Sequence, residues 1–280
     1  PQLSSIVWAV IFAHQGFFIV KNSILAQPSW NQIDFISDIH LSEQHPDTYF
    51  VWLQYLQNNK ADAIFILGDL FEAWVGDDAI LETGFERNCA LALAQCSLQK
   101  PIFMLHGNRD FLTKQAFFDF TGIQQLDDPC KLSAFGDHYL LSHGDALCTS
   151  DTDYMQLRSV VRSPIWQTAV LAQPLATRRQ MADKIKADKL STTTEPSRDS
   201  NFYNNLDINH NLAIDWLNQH GSNCLIHGHT HKPQEDSLNL EMSRWVLSDW
   251  EVDHPIPRAE VLSLTKQGLS RISLIEPQNK

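Results

Sequence analysis

Five short apolar runs recur along the chain, and each stops abruptly at glycine, histidine, asparagine or a carboxylate. Residues 33–36 break into Ser37-Asp38-Ile39-His40, residues 63–67 into Gly68-Asp69, and residues 101–105 into His106-Gly107-Asn108-Arg109-Asp110. Residues 138–141 break into Ser142-His143-Gly144-Asp145, and residues 224–226 into His227-Gly228-His229-Thr230-His231. A continuous apolar run of this length, bounded by turn formers, predicts a strand buried on both faces. Between the runs lie stretches of helical pattern, at residues 47–58, 79–98, 113–122 and 206–220. Strands alternating with helices define an α/β fold with much of its sheet parallel. Residues 244–247, 259–264 and 270–274 read as closing strands of a second sheet, so the expected architecture is two packed mixed β-sheets flanked by helices.

From residue 151 to 205 the pattern changes. Between Arg158 and Lys189 stand seven basic residues against Asp183 and Asp188, interleaved with Val160, Ile165, Trp166, Leu171, Met181 and Ile185 at amphipathic helical spacing. A basic amphipathic stretch is usually an ordinary solvated face. Here it interrupts two blocks of strand pattern, which points to an inserted helical cap followed by a polar loop at residues 192–205. Apolar side chains with basic neighbours suit an acyl chain joined to a phosphate, or an anionic membrane surface. The predicted division is an extension at 1–32, a core at 33–150 and 206–280, and a cap at 151–205. Residues 6–20 are largely apolar but interrupted at His14-Gln15-Gly16, short of the roughly 20 residues a membrane span needs, so the extension reads as dispensable.

A length of 280 residues is enough to bury a full core. The net charge of -12 argues against a nucleic-acid partner, since a phosphate-binding face leaves a basic excess. The five cysteines are scattered without a CxxC pair, which suggests neither a disulfide framework nor a zinc ribbon and fits a reducing compartment.

The chemistry lies in the residues that end the runs. Asp38 and His40 are two apart, so on an extended backbone they point the same way. Taken singly these signals are weak, because an Asp-x-His tripeptide, a Gly-Asn turn or one histidine at a strand end is commonly structural. Gathered at one end of a sheet, Asp38, His40, Asp69, Asn108, His143, His229 and His231 amount to ligands for two metal ions, with Asp69 the natural bridge. Cations about 3.5–4 Å apart clamp an oxygen displacement at phosphorus. Oxygen and nitrogen donors without thiolate suit manganese, iron, cobalt or zinc. The planar fork of Arg109 suits phosphate oxygens.

The ordered blocks Asp38-x-His40, Gly68-Asp69, Gly107-Asn108, His143 and Gly228-His229-x-His231 resemble those of the calcineurin-like metallophosphoesterases. The longer blocks at residues 68–78, 106–112, 143–149 and 225–233 are similar to the branch of that family that hydrolyses UDP-2,3-diacylglucosamine in lipid A synthesis. This resemblance implies one metal on Asp38, His40, Asp69 and His231, and a second on Asp69, Asn108, His143 and His229, with manganese expected. It also implies substrate contacts from Asn108, Arg109, Asp151, Tyr154 and His229, and a catalytic part for Asp69, Asn108 and Arg109. The partners implied are an acylated nucleotide sugar and the cytoplasmic face of an inner membrane, met peripherally. The family's serine, asparagine and lysine after the cap are echoed only by Ser197 and Asn201. The alternatives are another phosphoesterase, such as a nucleotide pyrophosphatase or phosphoprotein phosphatase, or a binding module on a decayed fold.

Overall fold

The computed structural model describes residues 21–192 and 207–275. Its strands are β1 (Lys21–Leu25), β2 (Gln32–Ile36), β3 (Ala63–Leu67), β4 (Ile102–Leu105), β5 (Gln124–Ala134), β6 (Asp137–Ser142), β7 (Cys224–His227), β8 (Gln234–Ser237), β9 (Ser243–Val246), β10 (Glu260–Thr265) and β11 (Gly268–Ser273). Its helices are α1 (Pro46–Asn58), α2 (Phe85–Ser97), α3 (Gln115–Thr121), α4 (Thr152–Val161), α5 (Pro164–Leu171), α6 (Leu175–Thr192) and α7 (His210–His220). The predicted helix at 79–98 is divided, with a 3-10 turn at Asp77–Leu81 preceding α2.

Side-chain alternation determines the layering. Ala63, Phe65 and Leu67 of β3 join Ile33 and Phe35 of β2 in an inner core, together with Leu132 of β5, Leu141 of β6 and Ile226 of β7. The alternate residues Ile36, Ile64, Ile66, Ile102 and Met104 face outward and pack under Trp52, Leu93 and Phe117 of α1, α2 and α3. On the far side, Leu140 and Leu225 face outward under Ala213 and Leu217 of α7. The inner core is therefore the filling of a sandwich. Strands buried on both faces explain why these runs carry so little polar alternation.

The two halves belong to one hydrogen-bonded path, β11-β10-β2-β3-β4-β5-β6-β7-β9-β8, with β1 beside β5. β5 makes the turn from one half to the other. Gln124 and Gln125 pair with β4, whereas Cys130 to Ala134 pair antiparallel with β6. The two expected packed sheets are thus present as the halves of one hydrogen-bonded sheet, joined through β5 and curled on itself. The strands predicted at 259–264 and 270–274 close the first half, because β10 pairs with β2 and buries Leu262 and Leu264 in the inner core. Only β9 and its partner β8 complete the second half.

Residues 21–32, placed outside the core by the sequence, take part in it. β1 pairs parallel with β5, and Ile24 and Trp30 are buried in the inner core, Trp30 edge-on to Phe103 at 6.2 Å between ring centroids. Residues 1–20 lie outside the described residues. Of the predicted insertion, 151–192 forms α4, α5 and α6, and the rest through residue 205, with Ser197 and Asn201, lies outside the described residues. Because β2, β3 and β4 run parallel, as do β6 and β7, the loops after all five open on one rim. Carboxyl ends of parallel strands are where open α/β sheets bind ligands.

Candidate metal centre

The five loops bring the seven predicted ligands together. Asp38, His40 and His231 form one group whose donor atoms lie within 4.8 Å of one another, and Asp38, Asp69 and His143 form a second. Asn108 Oδ1 lies 2.9 Å from both His143 Nε2 and His229 Nδ1, which adds those two side chains to the second group. Asp69 stands between the groups, with Oδ2 3.9 Å from His40 Nε2 and Oδ1 3.7 Å from His143 Nε2. Asp38 is also shared, a second carboxylate between the groups that sequence spacing does not reveal.

The backbone is strained where the ligands sit. Among the described residues, six non-glycines have positive φ, and five are Asp38, His40, Asp69, His229 and His231, at 51° to 67°. Such conformations cost on the order of 1–3 kcal/mol each and persist where surrounding structure enforces them. Here the enforcement is hydrogen bonding: Asp38 N–H donates to Gly68 O at 3.1 Å, His40 N–H to Asp69 O at 3.1 Å, and Trp250 N–H to Asp38 O at 3.0 Å. Space is equally constrained. A Cβ on Gly107 would lie 2.0 Å from Asp69 Oδ1, so only glycine leaves room for that carboxylate.

A surrounding layer of partners aims the ligands. His143 donates from Nδ1 to Leu67 O at 2.9 Å, so its Nε2 faces the centre. Glu72 stands 3.2 Å behind His40 Nδ1 and Asp249 3.4 Å behind His231 Nδ1, as carboxylates do behind metal-binding histidines. Buried Asp110 accepts from Gly107 N–H and Leu70 N–H, both at 2.8 Å, and so joins the loops after β3 and β4. Glu72 and Asp110 fall inside blocks that the sequence marked, but their role did not show there. Asp249 carried no sequence signal.

Electrostatics indicate what the cluster lacks. Burial opposes a charged His143, yet Asp69, Asp38 and Asp145 around it raise it to about 9. Burial alone would raise Asp38, but the hydrogen bond and charge of His231, with His143 and His40, hold it well below the carboxylate range. Burial lowers His229 to about 3, and the neighbouring His143 adds to the effect. The buried carboxylates therefore favour positive charge beside them, as the upward shift of His143 shows. Divalent cations would supply it through the same lone pairs, so the donor set fits two such ions.

The residues expected to meet substrate flank this centre. Asn108 and Arg109 are half-buried, and Arg109 N–H donates to Asp69 Oδ1 at 2.8 Å. Tyr154 lies over His229 at 5.8 Å between ring centroids and donates its hydroxyl to Asp145 at 2.6 Å. Asp151 caps α4, accepting from Tyr154 N–H at 3.0 Å. The basic surplus of the cap is also placed. Arg158 and Arg162 pair with Asp145, Arg178 with Asp78, and Arg179 with Glu82 and Glu86. Four of the seven basic side chains thus join cap to core rather than standing free beside the apolar ones.

The calcineurin-like phosphoesterase family matches residues 32–233, and the chain belongs to that family. Within it, the chain is similar to proteins named UDP-2,3-diacylglucosamine hydrolase. That of Chromobacterium violaceum is 40% identical over 226 residues, covering 78% of this chain and 90% of the relative. That of Pseudomonas fluorescens is 37% identical over 251 residues, covering 87% and 96%, and that of Pseudomonas aeruginosa is 38% identical over 223 residues, covering 78% and 90%.

Proposed function

We propose that the chain hydrolyses the pyrophosphate bond of UDP-2,3-diacylglucosamine in lipid A synthesis, releasing UMP and 2,3-diacylglucosamine 1-phosphate. The observation that carries this reading is a seven-residue donor set at the rim of the sheet, flanked by a helical cap, in a chain 37% to 40% identical to hydrolases of that name. Asp38, His40, Asp69 and His231 would hold one divalent cation, and Asp69, Asn108, His143 and His229 the other, with manganese the metal we favour. Asp69 is assigned the bridge because each of its oxygens faces a different group. Bound cations of this kind polarise a phosphoryl oxygen and make water a nucleophile at neutral pH.

The side chains have separate tasks. Asp69, anchored by Arg109 N–H, fixes the centre against the loop that carries the arginine. Arg109 places a delocalised positive charge where negative charge grows on the phosphates. Both products leave as phosphate anions, so no protein acid is required to protonate a leaving group. Asn108 and His229 belong to the second group, and Tyr154 of α4 lies over His229, which supports a reading in which the nucleotide-sugar phosphates bind under α4.

In this reading the protein acts at the cytoplasmic face of the inner membrane. Among the described residues no helix is long and apolar enough to span a bilayer. Leu157, Val160, Ile165, Met181 and Ile185 of the cap are exposed, a surface suited to acyl chains or lipid. The test is purified chain with manganese, assayed on UDP-2,3-diacylglucosamine and on a simple aryl phosphodiester, with products identified. UMP release from the lipid substrate is expected. Turnover of the aryl ester alone would keep the metal centre and reject this substrate.

A further inference from the structure

We propose that Arg178 is a positioning residue that fixes the cap at the height required for the acylated substrate, an inference that rests on the function proposed above. Arg178 lies on α6 and is 4% exposed, an unusual state for a guanidinium. Its three donor nitrogens are all engaged. Nε donates to Gln173 O at 2.9 Å, Nη1 to Val75 O, and Nη2 to the Asp78 carboxylate. The guanidinium is thus turned into the cap–core junction rather than presented at the metal centre. Its neighbour Arg179 pairs with Glu82 and Glu86 at side-chain exposures of 38%, 57% and 25%, and exposed pairs of this kind contribute little.

The loop that receives Arg178 is shaped for it. A Cβ on Gly76 would lie 2.0 Å from Arg178 Nη1, and Gly76 has a φ of 137°, so any other residue would displace the guanidinium. The same loop begins at Asp69 and includes Glu72, which backs His40. On its core side it is held without Arg178. Trp74 N–H donates to Arg109 O at 3.0 Å, Trp74 Nε1 donates to Asp77 Oδ1 at 3.0 Å, and Asp77 accepts from Lys114 N–H and Phe117 N–H. Loss of Arg178 thus releases α6 while the metal ligands keep their supports.

The rest of the cap has its own anchors. Arg162 of the α4–α5 turn donates to Gly107 O at 2.8 Å and lies 5.0 Å from the centre of the Phe111 ring, and Lys114 Nζ donates to Gln167 of α5 at 2.8 Å. α4 and α5 are therefore held by polar contacts to the loops after β4 and β6, with Leu171 of α5 also lying beside Gly76, whereas the polar anchors of α6 lie in the loop after β3. Freeing only α6 widens the space for acyl chains and leaves the phosphate end in place. The signature is a change in KM for the lipid substrate with kcat retained.

The experiment compares wild type, R178A, R178K and G76A as purified full chains with manganese. R178A should raise KM for UDP-2,3-diacylglucosamine by about tenfold, the scale of losing one buried charge-assisted contact, while kcat holds. Turnover of the aryl phosphodiester should be unchanged. G76A should reproduce the KM effect although the arginine is present, and R178K should restore part of it. Equal loss of both activities in R178A would assign Arg178 to general support of the metal loop and overturn the proposal, as would no change in either. Amide hydrogen exchange separates this failure from failure of the substrate assignment. Should wild type prove inactive on the lipid substrate, faster exchange in residues 175–185 of R178A and G76A would support the latch, and unchanged exchange would overturn it.

Discussion

Glu72 and Asp249 each stand behind a histidine whose other nitrogen faces the metal centre. Both are buried or nearly so, at 14% and 1% side-chain exposure. A carboxylate in this position fixes the ring and raises its basicity, and its removal lowers metal affinity by about 10–100-fold. Glu72→Ala is expected to weaken manganese binding on that scale in a calorimetric titration while the far-UV circular dichroism stays native. Asp69→Asn should have a different effect. The amide keeps the shape and can still accept from Arg109 N–H, but it loses the charge that faces both groups. Turnover should fall by several orders of magnitude with the melting temperature in chelator little changed, and near-normal rates would refute the bridging assignment. The ligands were legible because each ends an apolar run, which forces a polar side chain onto the rim. Their backing carboxylates were not, because a residue two loops away is brought behind a ring only by the tertiary fold.

At the scale of elements, strands buried on both faces announced themselves and edge strands did not. β3 is uniformly apolar and buried, whereas β1 reads Lys-Asn-Ser-Ile-Leu and exposes all but Ile24. β8 is wholly polar, with residues alternating between half-buried and exposed. Such strands take their conformation from the neighbour they pair with rather than from their own pattern. The consequence is an error of boundary. Trp30 was placed in a dispensable extension, yet it is 5% exposed and packs on Phe103 in the inner core. Trp30→Ala should destabilise the protein by about 3–5 kcal/mol, the usual penalty for emptying a buried aromatic site. Urea unfolding measures this directly as a shift in midpoint at constant slope, and a change under 1 kcal/mol by the same yardstick would return residue 30 to the periphery.

For the whole molecule, the sequence conveyed the layering and the active rim but not the closure of the sheet or the use of the cap's charge. Closure depends on which edge β10 chooses, and a strand of six residues with apolar positions only at Val261, Leu262 and Leu264 fits either edge. The charge depends on partners outside the run, Asp145 just before it and Asp78, Glu82 and Glu86 far away in sequence, so a run that is basic locally is paired in three dimensions. What remains separable is folding from metal binding. The three hydrophobic clusters lie between and outside the two halves of the sheet, and the ligands occupy loops at its rim. Chelation should therefore leave secondary structure intact while removing the stabilisation that a ligand of the native state provides. At a free manganese concentration 100 times the dissociation constant that stabilisation is about 2.7 kcal/mol per site, enough to move the melting temperature by several degrees. Thermal melts in chelator and across a manganese series are expected to show one cooperative transition that rises with the logarithm of metal concentration. A transition indifferent to manganese over that range would mean that the converging carboxylates and imidazoles are satisfied by one another, and that the rim holds no metal.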